Sequence, residues 1–247
     1  MIFVATPDKT PDRIAGMFDA IAPRYDLLNH VLSAGIDRRW RVRAIRSLQL
    51  TGTETVLDVC TGTADVALAA RSRSGVGSGA SGIAKRVIGV DFAGAMLRLG
   101  VEKVRAAGEA RHVVLVRGDA MNLPVGDASA DVATVAFGIR NVQHPEIACL
   151  EIARALRRGG RLAILEFGIP AVPGLSVLYL WYFKHVLPWM GRVISGHTAA
   201  YSYLPASVGT FPPPAEFMAT LERSGFRDVR AIPLTFGIVY LYTARKG

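Results

Sequence analysis

Val56-Leu57-Asp58-Val59-Cys60-Thr61-Gly62-Thr63-Ala64-Asp65 begins as a short apolar run and then breaks into a turn of small residues. An Ala- and Leu-rich segment follows (Val66, Ala67, Leu68, Ala69, Ala70). The pattern predicts strand, tight turn, helix. In an open α/β sheet, ligands sit beyond the carboxyl ends of the strands, where such turns lie. Asp58 then stands at the end of the strand, and Gly62 lets the backbone pass close to a ligand.

The turn is informative for what it lacks. A dinucleotide site wants G-x-G-x-x-G, so that helix N-terminal amides can hold a pyrophosphate. Here one Gly lies between Asp58 and Asp65. Two carboxylates beside the turn would repel a pyrophosphate and suit a ligand with positive charge and hydroxyls. S-adenosylmethionine (SAM), with its sulfonium, ammonium and ribose, is such a ligand. Any strand-turn-helix of an α/β fold reads the same way, so the neighbouring strands must decide.

Downstream, residues 86–90 read as a second strand ending in Asp91, placed to accept both ribose hydroxyls. Residues 71–85, rich in Gly and Ser, read as a flexible surface insertion before it. A helix over 93–106 and a third strand over 112–116 lead to Gly118-Asp119-Ala120, where Asp119 can accept from an adenine amino group. Three strands each delivering an Asp at one sheet edge favour a nucleoside-type cofactor. A fourth strand, 131–137, runs into Phe137-Gly138-Ile139-Arg140-Asn141. A helix from Pro145 to Arg158 is stopped by Gly159-Gly160. A fifth strand, 161–167, carries Glu166. Residues 226–234 and 238–244, linked by Thr235-Phe236-Gly237, read as an antiparallel hairpin. The expected architecture is α/β: a Rossmann-like, seven-stranded class I methyltransferase sheet with that hairpin at its C-terminus.

Upstream, Thr10-Pro11-Asp12 starts a helix with Ile14, Met17, Phe18 and Ile21 at helical spacing. Tyr25, Asp26 and Asn29 lie off an apolar face of Leu28, Val31 and Leu32. Asp37 is placed to cap a second helix through Trp40 to Leu48. Residues 1–50 are therefore expected as a helical cover over the ligand mouth, and 1–247 as one methyltransferase domain. Residues 170–210 form its helical, substrate- or membrane-facing insertion.

Bulk properties bound the function. With 51% hydrophobic residues and a mean hydropathy of +0.30, the chain of 247 residues is apolar. No stretch has the roughly 20 uncharged apolar residues of a spanning helix. Residues 175–194 come nearest and are broken by Lys184, His185, Pro188 and Arg192. Cys60 and Cys149 make no metal or disulfide framework. Asp8 and Asp12 argue against a transit peptide, which points to a prokaryotic, cytoplasmic protein. A net charge of +9 favours anionic partners, an acidic membrane surface or nucleic acid. The basic residues are dispersed rather than clustered among stacking aromatics, so no nucleic-acid partner is expected.

Several blocks resemble the UbiE/COQ5 family of SAM-dependent C-methyltransferases of quinone synthesis. They are Tyr25-Asp26-Leu27-Leu28-Asn29 with Ser33 and Trp40, the 56–65 loop, and Phe137-Gly138-Ile139-Arg140-Asn141-Val142. Arg157-Arg158-Gly159-Gly160-Arg161-Leu162 through Glu166-Phe167, Arg192-Val193-Ile194-Ser195-Gly196, Tyr203-Leu204-Pro205 and Leu234-Thr235-Phe236-Gly237-Ile238 are similar to it as well. The resemblance implies cofactor binding by Thr63, Asp91 and the pair Asp119-Ala120, beside Asp58 and Gly62. The sequence departs from the family pattern at Ala64 (often Gly), Asp37 (often His), Ala136 (commonly Ser) and Asp119 (commonly Asn).

The resemblance also implies methylation of a prenylated quinol, demethylmenaquinol to menaquinol. The alternatives are a ubiquinone-pathway or dual-function benzoquinol enzyme, or a methyltransferase for another small apolar acceptor. Arg140 is the candidate for stabilising a developing phenolate, with Asn141 as hydrogen-bonding partner. Tyr25 and Asn29 are candidates to orient the ring, and Phe137 to contact it. Asp26 reads equally as a helix cap, and His30 as a base or a structural residue. The aromatic segment 175–194 reads as a contact to an anionic membrane on the cytoplasmic face, a guide for the prenyl tail, or a homodimer interface. No metal is expected.

Overall fold

A computed structural model describes residues 8–33, 35–72, 82–170, 174, 181 and 198–247. Strand β1 (Thr55–Val59) is the central strand, with Val56 to Val59 buried. Burial on both faces is why the stretch is apolar without alternation. β2 (Arg86–Asp91), β3 (Val113–Arg117), β4 (Ala130–Ala136) and β5 (Leu156–Phe167) join it, every adjacent pair parallel. β6 (Phe226–Leu234) and β7 (Val239–Lys246) close the sheet as an antiparallel hairpin. The seven strands run in the order β3-β2-β1-β4-β5-β7-β6. The chain order reverses between β1 and β4, so the turns after these strands flank a crevice.

Helices cover both faces. α2 (Asp37–Ser47), α3 (Asp65–Arg71) and α4 (Gly94–Ala106) lie on one side. There Trp40, Ile45, Leu48, Val66, Ala67 and Val104 pack on Val56, Val87 and Val132. α5 (Pro145–Ala155) and α7 (Pro214–Arg223) lie on the other, where Cys149, Ile152, Phe217 and Leu221 pack on Leu57, Val135, Ile164 and Tyr242. α6 (Thr198–Thr210) precedes α7.

Among the described residues, two helices precede the sheet. α1 runs unbroken from Pro11 to Leu32, with Pro23 inside it. It packs on α4 and α6, and its Phe18 and Tyr25 reach the crevice. α2 does not cover the ligand mouth; it packs against β5 and α3 as an ordinary flanking helix. Asp37 is its first residue and not its cap: Ile36 precedes it with no side-chain cap. The Asp37 carboxylate instead pairs with Arg41 at 2.8 Å and accepts from the Ser33 hydroxyl at 2.9 Å.

The helix expected to reach Arg158 stops at Ala155, because Leu156 is already extended (φ −77°, ψ 141°). Leu156 pairs with Ala130, the register then shifts, and Arg161 pairs with Val132. Gly159, at φ +73°, takes up the bulge between them. The side chains of the expected apolar face, Leu28, Val31 and Leu32, are not described, and most of the 71–85 and 175–194 segments falls outside the described residues. Among the described residues, two short 3-10 turns complete the frame, Ile139–Asn141 and Thr235–Gly237.

Candidate active site

Three turns meet at the crevice. The β1 turn turns back sharply, with Cys60, Gly62 and Ala64 at φ +56°, +55° and +67°. The left-handed region costs a residue with a Cβ roughly 1–2 kcal/mol, a cost that Ala64 bears and a Gly there would not. Below the turn, Asp58 is 1% exposed. Its two oxygens accept from the Thr61 and Thr134 hydroxyls, each at 2.6 Å. Asp58 therefore pins the turn from behind and does not line the cavity. Asp65 also differs from its expected part: Lys103 and Arg41 (3.0 Å) neutralise it from α4 and α2.

Asp91 is the carboxylate that faces the cavity. Oδ2 accepts from the Gly62 amide at 2.8 Å and Oδ1 from the Ala93 amide at 2.9 Å. Each oxygen keeps a lone pair, so the carboxylate can still accept two hydroxyls. Asp119, after β3, accepts the Met121 amide at 2.9 Å through Oδ1, and Ala120 beside it is buried.

The β4 turn is strained at Phe137, whose φ is +60°. Its carbonyl accepts from Arg140 NH1 (2.6 Å) and Asn141 Nδ2 (3.3 Å), which fixes the 3-10 turn. Its ring packs on Phe167 (centroids 4.6 Å) and Trp40 (6.0 Å). Gly138 follows because a Cβ there would lie 2.3 Å from the Cβ of Cys60. The β1 and β4 turns touch at that point.

Arg140 is buried and held by Glu166, which is 0% exposed. Arg140 NH1 donates to Glu166 Oε1 at 2.6 Å, and its amide donates to Oε2 at 3.2 Å. The guanidinium carbon lies 5.1 Å from the Phe167 ring centroid. Among the described residues, three buried polar atoms have no hydrogen-bond partner: Arg140 Nε, Asn141 Oδ1 and Tyr203 OH.

One cavity of about 410 Å³, counted to its open mouth, joins these turns. It brings together the expected Tyr25, Gly62, Asp91, Phe137 and Asn141, with Ala136 on its wall. Phe18, Cys60, Phe92, Met96, Gly138 and Val142 complete it and were not anticipated. Asn29 stands one helical turn from Tyr25 and bonds to its phenol. Thr63, Asp119, Ala120, Asp58 and Arg140 are not among the residues that line it. Glu166 had a sequence signal: a lone carboxylate inside an apolar strand needs a cation.

α1 is fastened over this cavity at two points. Asp19 accepts the Ala95 amide at 2.7 Å, in the first turn of α4. Asp26 accepts from the Thr63 hydroxyl at 2.6 Å and from Lys103 at 2.9 Å. Asp26 is thus neither a helix cap nor a group on the cavity wall. His30 is half-exposed beside Asp37 and also stands off the wall.

Burial pushes the Asp58 carboxyl up to about 6, against the two threonine hydroxyls, and Asp91 adds to the rise. Burial also raises Asp91, opposed by the Ala93 and Gly62 amides. Burial holds the Cys60 thiol well above its usual range, so it stays protonated. Ionised Asp58 costs stability as pH rises through about 6, because the folded state binds that proton more tightly than the unfolded chain. A cation bound above the turn reverses this cost by favouring the ionised Asp58. SAM affinity is therefore expected to rise from pH 5 to 7.5 by roughly three- to tenfold more than that of S-adenosylhomocysteine, which lacks the sulfonium charge. Calorimetric titration of both ligands across that range checks this; parallel pH profiles would exclude carboxylate–sulfonium coupling.

The site suits SAM on its own chemistry. It offers a carboxylate with two open lone pairs, a glycine turn held to it, and a second carboxylate beneath in place of a pyrophosphate cradle.

Comparison with known proteins agrees. The sequence profile of the ubiE/COQ5 methyltransferase family matches residues 7–246. The chain is 48% identical over 230 residues to the ubiquinone/menaquinone biosynthesis C-methyltransferase UbiE of Syntrophotalea carbinolica, covering 92% of this chain and 91% of that one. It is 42% identical over 230 residues to the demethylmenaquinone methyltransferase of Thermus thermophilus, covering 93% and 100%. Among solved structures, a SAM-dependent methyltransferase of Thermotoga maritima superposes with a TM-score of 0.64 at 17% identity, covering 95% and 100%. That likeness concerns the fold.

Proposed function

Because the chain belongs to the ubiE/COQ5 methyltransferase family, we propose that its acceptor is demethylmenaquinol and its product menaquinol. It is a SAM-dependent C-methyltransferase of quinone biosynthesis. The supporting observation is one cavity in which the Asp91–Gly62 cradle adjoins an aromatic wall of Phe18, Tyr25 and Phe137. Flat rings and a neutral thiol suit a fused, apolar ring system beside a charged cofactor.

SAM, when bound, supplies an electrophilic methyl group on a sulfonium. A quinone ring carbon is itself electrophilic, so the acceptor must be the quinol. Loss of an O–H proton places electron density on the adjacent ring carbon. In our reading Asp91 holds the ribose hydroxyls, Gly62 and Thr63 shape the turn, and Asp58 keeps it in place. Asp119 and Ala120 bound the adenine end. Arg140, fixed by Glu166, stabilises the developing phenolate, with Asn141 beside it. Tyr25, tied to Asn29, and Phe137 hold the ring flat. Burial and packing exclude water, which strengthens the attraction of Arg140 for a phenolate.

A polyprenyl tail has to reach the cavity from a lipid phase. A net charge of +9 supports peripheral contact with an anionic membrane face. No helix among the described residues is long and apolar enough to cross a membrane. Trp181 is 54% exposed, and the rest of the aromatic segment invoked for this contact lies outside the described residues.

The test is methyl transfer from labelled SAM to chemically reduced demethylmenaquinol, beside a benzoquinol precursor of ubiquinone. Transfer to the naphthoquinol alone is the expected result. Transfer to both would make the enzyme dual-function, and transfer to neither, with SAM still bound, would overturn the quinol assignment.

A further inference from the structure

Arg140 Nε, Asn141 Oδ1 and Tyr203 OH are buried and unpartnered. Leaving such an atom dry costs about 1–3 kcal/mol each. Arg140 and Asn141 are neighbours in the 3-10 turn, and α6, which carries Tyr203, packs on that turn and on α1. The Tyr203 phenol feels the charges of both Arg140 and Glu166. The three atoms therefore belong to one region, where the 3-10 turn and α6 meet.

Their hydrogen-bonding capacities are fixed. A guanidinium N–H only donates. Asn141 presents its oxygen, because its Nδ2 is committed to the Phe137 carbonyl. Oδ1 therefore only accepts. A phenol can donate or accept. A phenolic hydroxyl donates one hydrogen bond and accepts two, which matches the capacities of the three atoms, and Asn141 lines the cavity from which it would enter.

We propose that Tyr203 is a substrate-binding residue, its hydroxyl completing with Arg140 Nε and Asn141 Oδ1 a site for one phenolic oxygen of the acceptor. The proposal rests on the quinol reading and deepens it. In this site the acceptor O–H donates to Asn141 Oδ1, while Arg140 Nε–H and Tyr203 O–H donate to its oxygen. Both donors hold that oxygen more strongly as negative charge builds on it. Burial pushes the Tyr203 phenol up to about 12, so it keeps its proton to donate. Lys9 adds positive charge near Arg140 and Glu166.

The full-length chain and Tyr203→Phe are compared for binding of 1-naphthol and of 1-methylnaphthalene, which has the same rings and no hydroxyl. The expected result is that Tyr203→Phe weakens 1-naphthol by about tenfold, in line with one lost hydrogen bond, and leaves 1-methylnaphthalene unchanged. The melting temperature should not fall, because an unpartnered buried hydroxyl is being removed. Unchanged naphthol affinity overturns the proposal. So does equal weakening of both ligands, which would make Tyr203 a packing surface. A lower melting temperature with unaltered naphthol binding, or a wild-type protein that does not prefer 1-naphthol, overturns it too. These readouts need no turnover. Failure of methyl transfer to any quinol therefore counts against the quinol reading, while the naphthol difference tests the hydroxyl site.

Discussion

Arg140→Ala is expected to lower methyl transfer by about a hundred- to a thousandfold while SAM affinity stays within about threefold. Removal of one donor that meets developing negative charge costs that much in other oxyanion sites. The cofactor-facing groups, Asp91 and the Gly62 amide, do not touch Arg140, so binding should survive. The substitution also strands Glu166, which is 0% exposed and makes its side-chain ion pair with Arg140 NH1. An unpaired buried carboxylate costs about 3–5 kcal/mol, so the single variant should melt well below the wild type. That loss could hide a catalytic defect inside a folding defect. Arg140→Met combined with Glu166→Leu separates the two, because replacing a buried ion pair by apolar residues is often neutral or better. The double variant should regain most of the lost melting temperature and none of the turnover. Turnover restored with stability would show that Arg140 serves the fold alone. Stability left unrestored would show that the pair is needed for reasons beyond its charges.

The same pair shows what can and cannot be read from a sequence. The strands were legible because a sheet buried on both faces demands apolar runs, and 226–234 reads as the observed β6 residue for residue. The three Asp-tipped strand ends were legible as a set, yet their roles diverged in space. Asp58 and Asp91 both lie near strand ends, but only the second reaches the cavity. Asp58 pairs with Gly89, two residues short of Asp91, and Thr134, 76 residues away, takes up one of its oxygens; both facts depend on how the strands align. Asp26 is similar. Its partners Thr63 and Lys103 lie 37 and 77 residues along the chain, so a helix-surface carboxylate becomes the fastening of α1 only once the fold exists. The end of α5 was misplaced for another reason. Gly159-Gly160 looks like a helix stop, but strand pairing to Ala130 captures Leu156 first, and the glycine serves a bulge. Tertiary pairing overrode a local signal.

Asp91→Asn is expected to weaken SAM and S-adenosylhomocysteine equally, by about thirty- to a hundredfold. The equality is the decisive part. Both ligands carry the ribose, and only SAM carries the sulfonium charge. If Asp91 works by accepting the two ribose hydroxyls, its loss falls on both alike. If it works as a negative charge attracting a cation, SAM suffers and the homocysteine form does not. The hydrogen bonds favour the first. Both Asp91 oxygens are held by amides, Gly62 at 2.8 Å and Ala93 at 2.9 Å, which fixes the carboxylate plane as an acceptor fork. An asparagine fills the same volume but must turn an N–H₂ toward one of those amides. Donor then faces donor, and either the Gly62 turn or the start of α4 has to shift. Hydrogen bonds to a charged group are worth about 1.5–3 kcal/mol each, and a loss of 2–3 kcal/mol corresponds to the stated range. Neutralising Asp58 should do the opposite. It lies under the turn with both oxygens spent on threonine hydroxyls, so Asp58→Asn should lower SAM affinity relative to the homocysteine form through charge alone. Calorimetric titration of the two ligands against both variants decides the matter. Equal losses at Asp91 with a SAM-selective loss at Asp58 assign one carboxylate to shape and the other to charge. A SAM-selective loss at Asp91 would move the ribose contact elsewhere in the cavity.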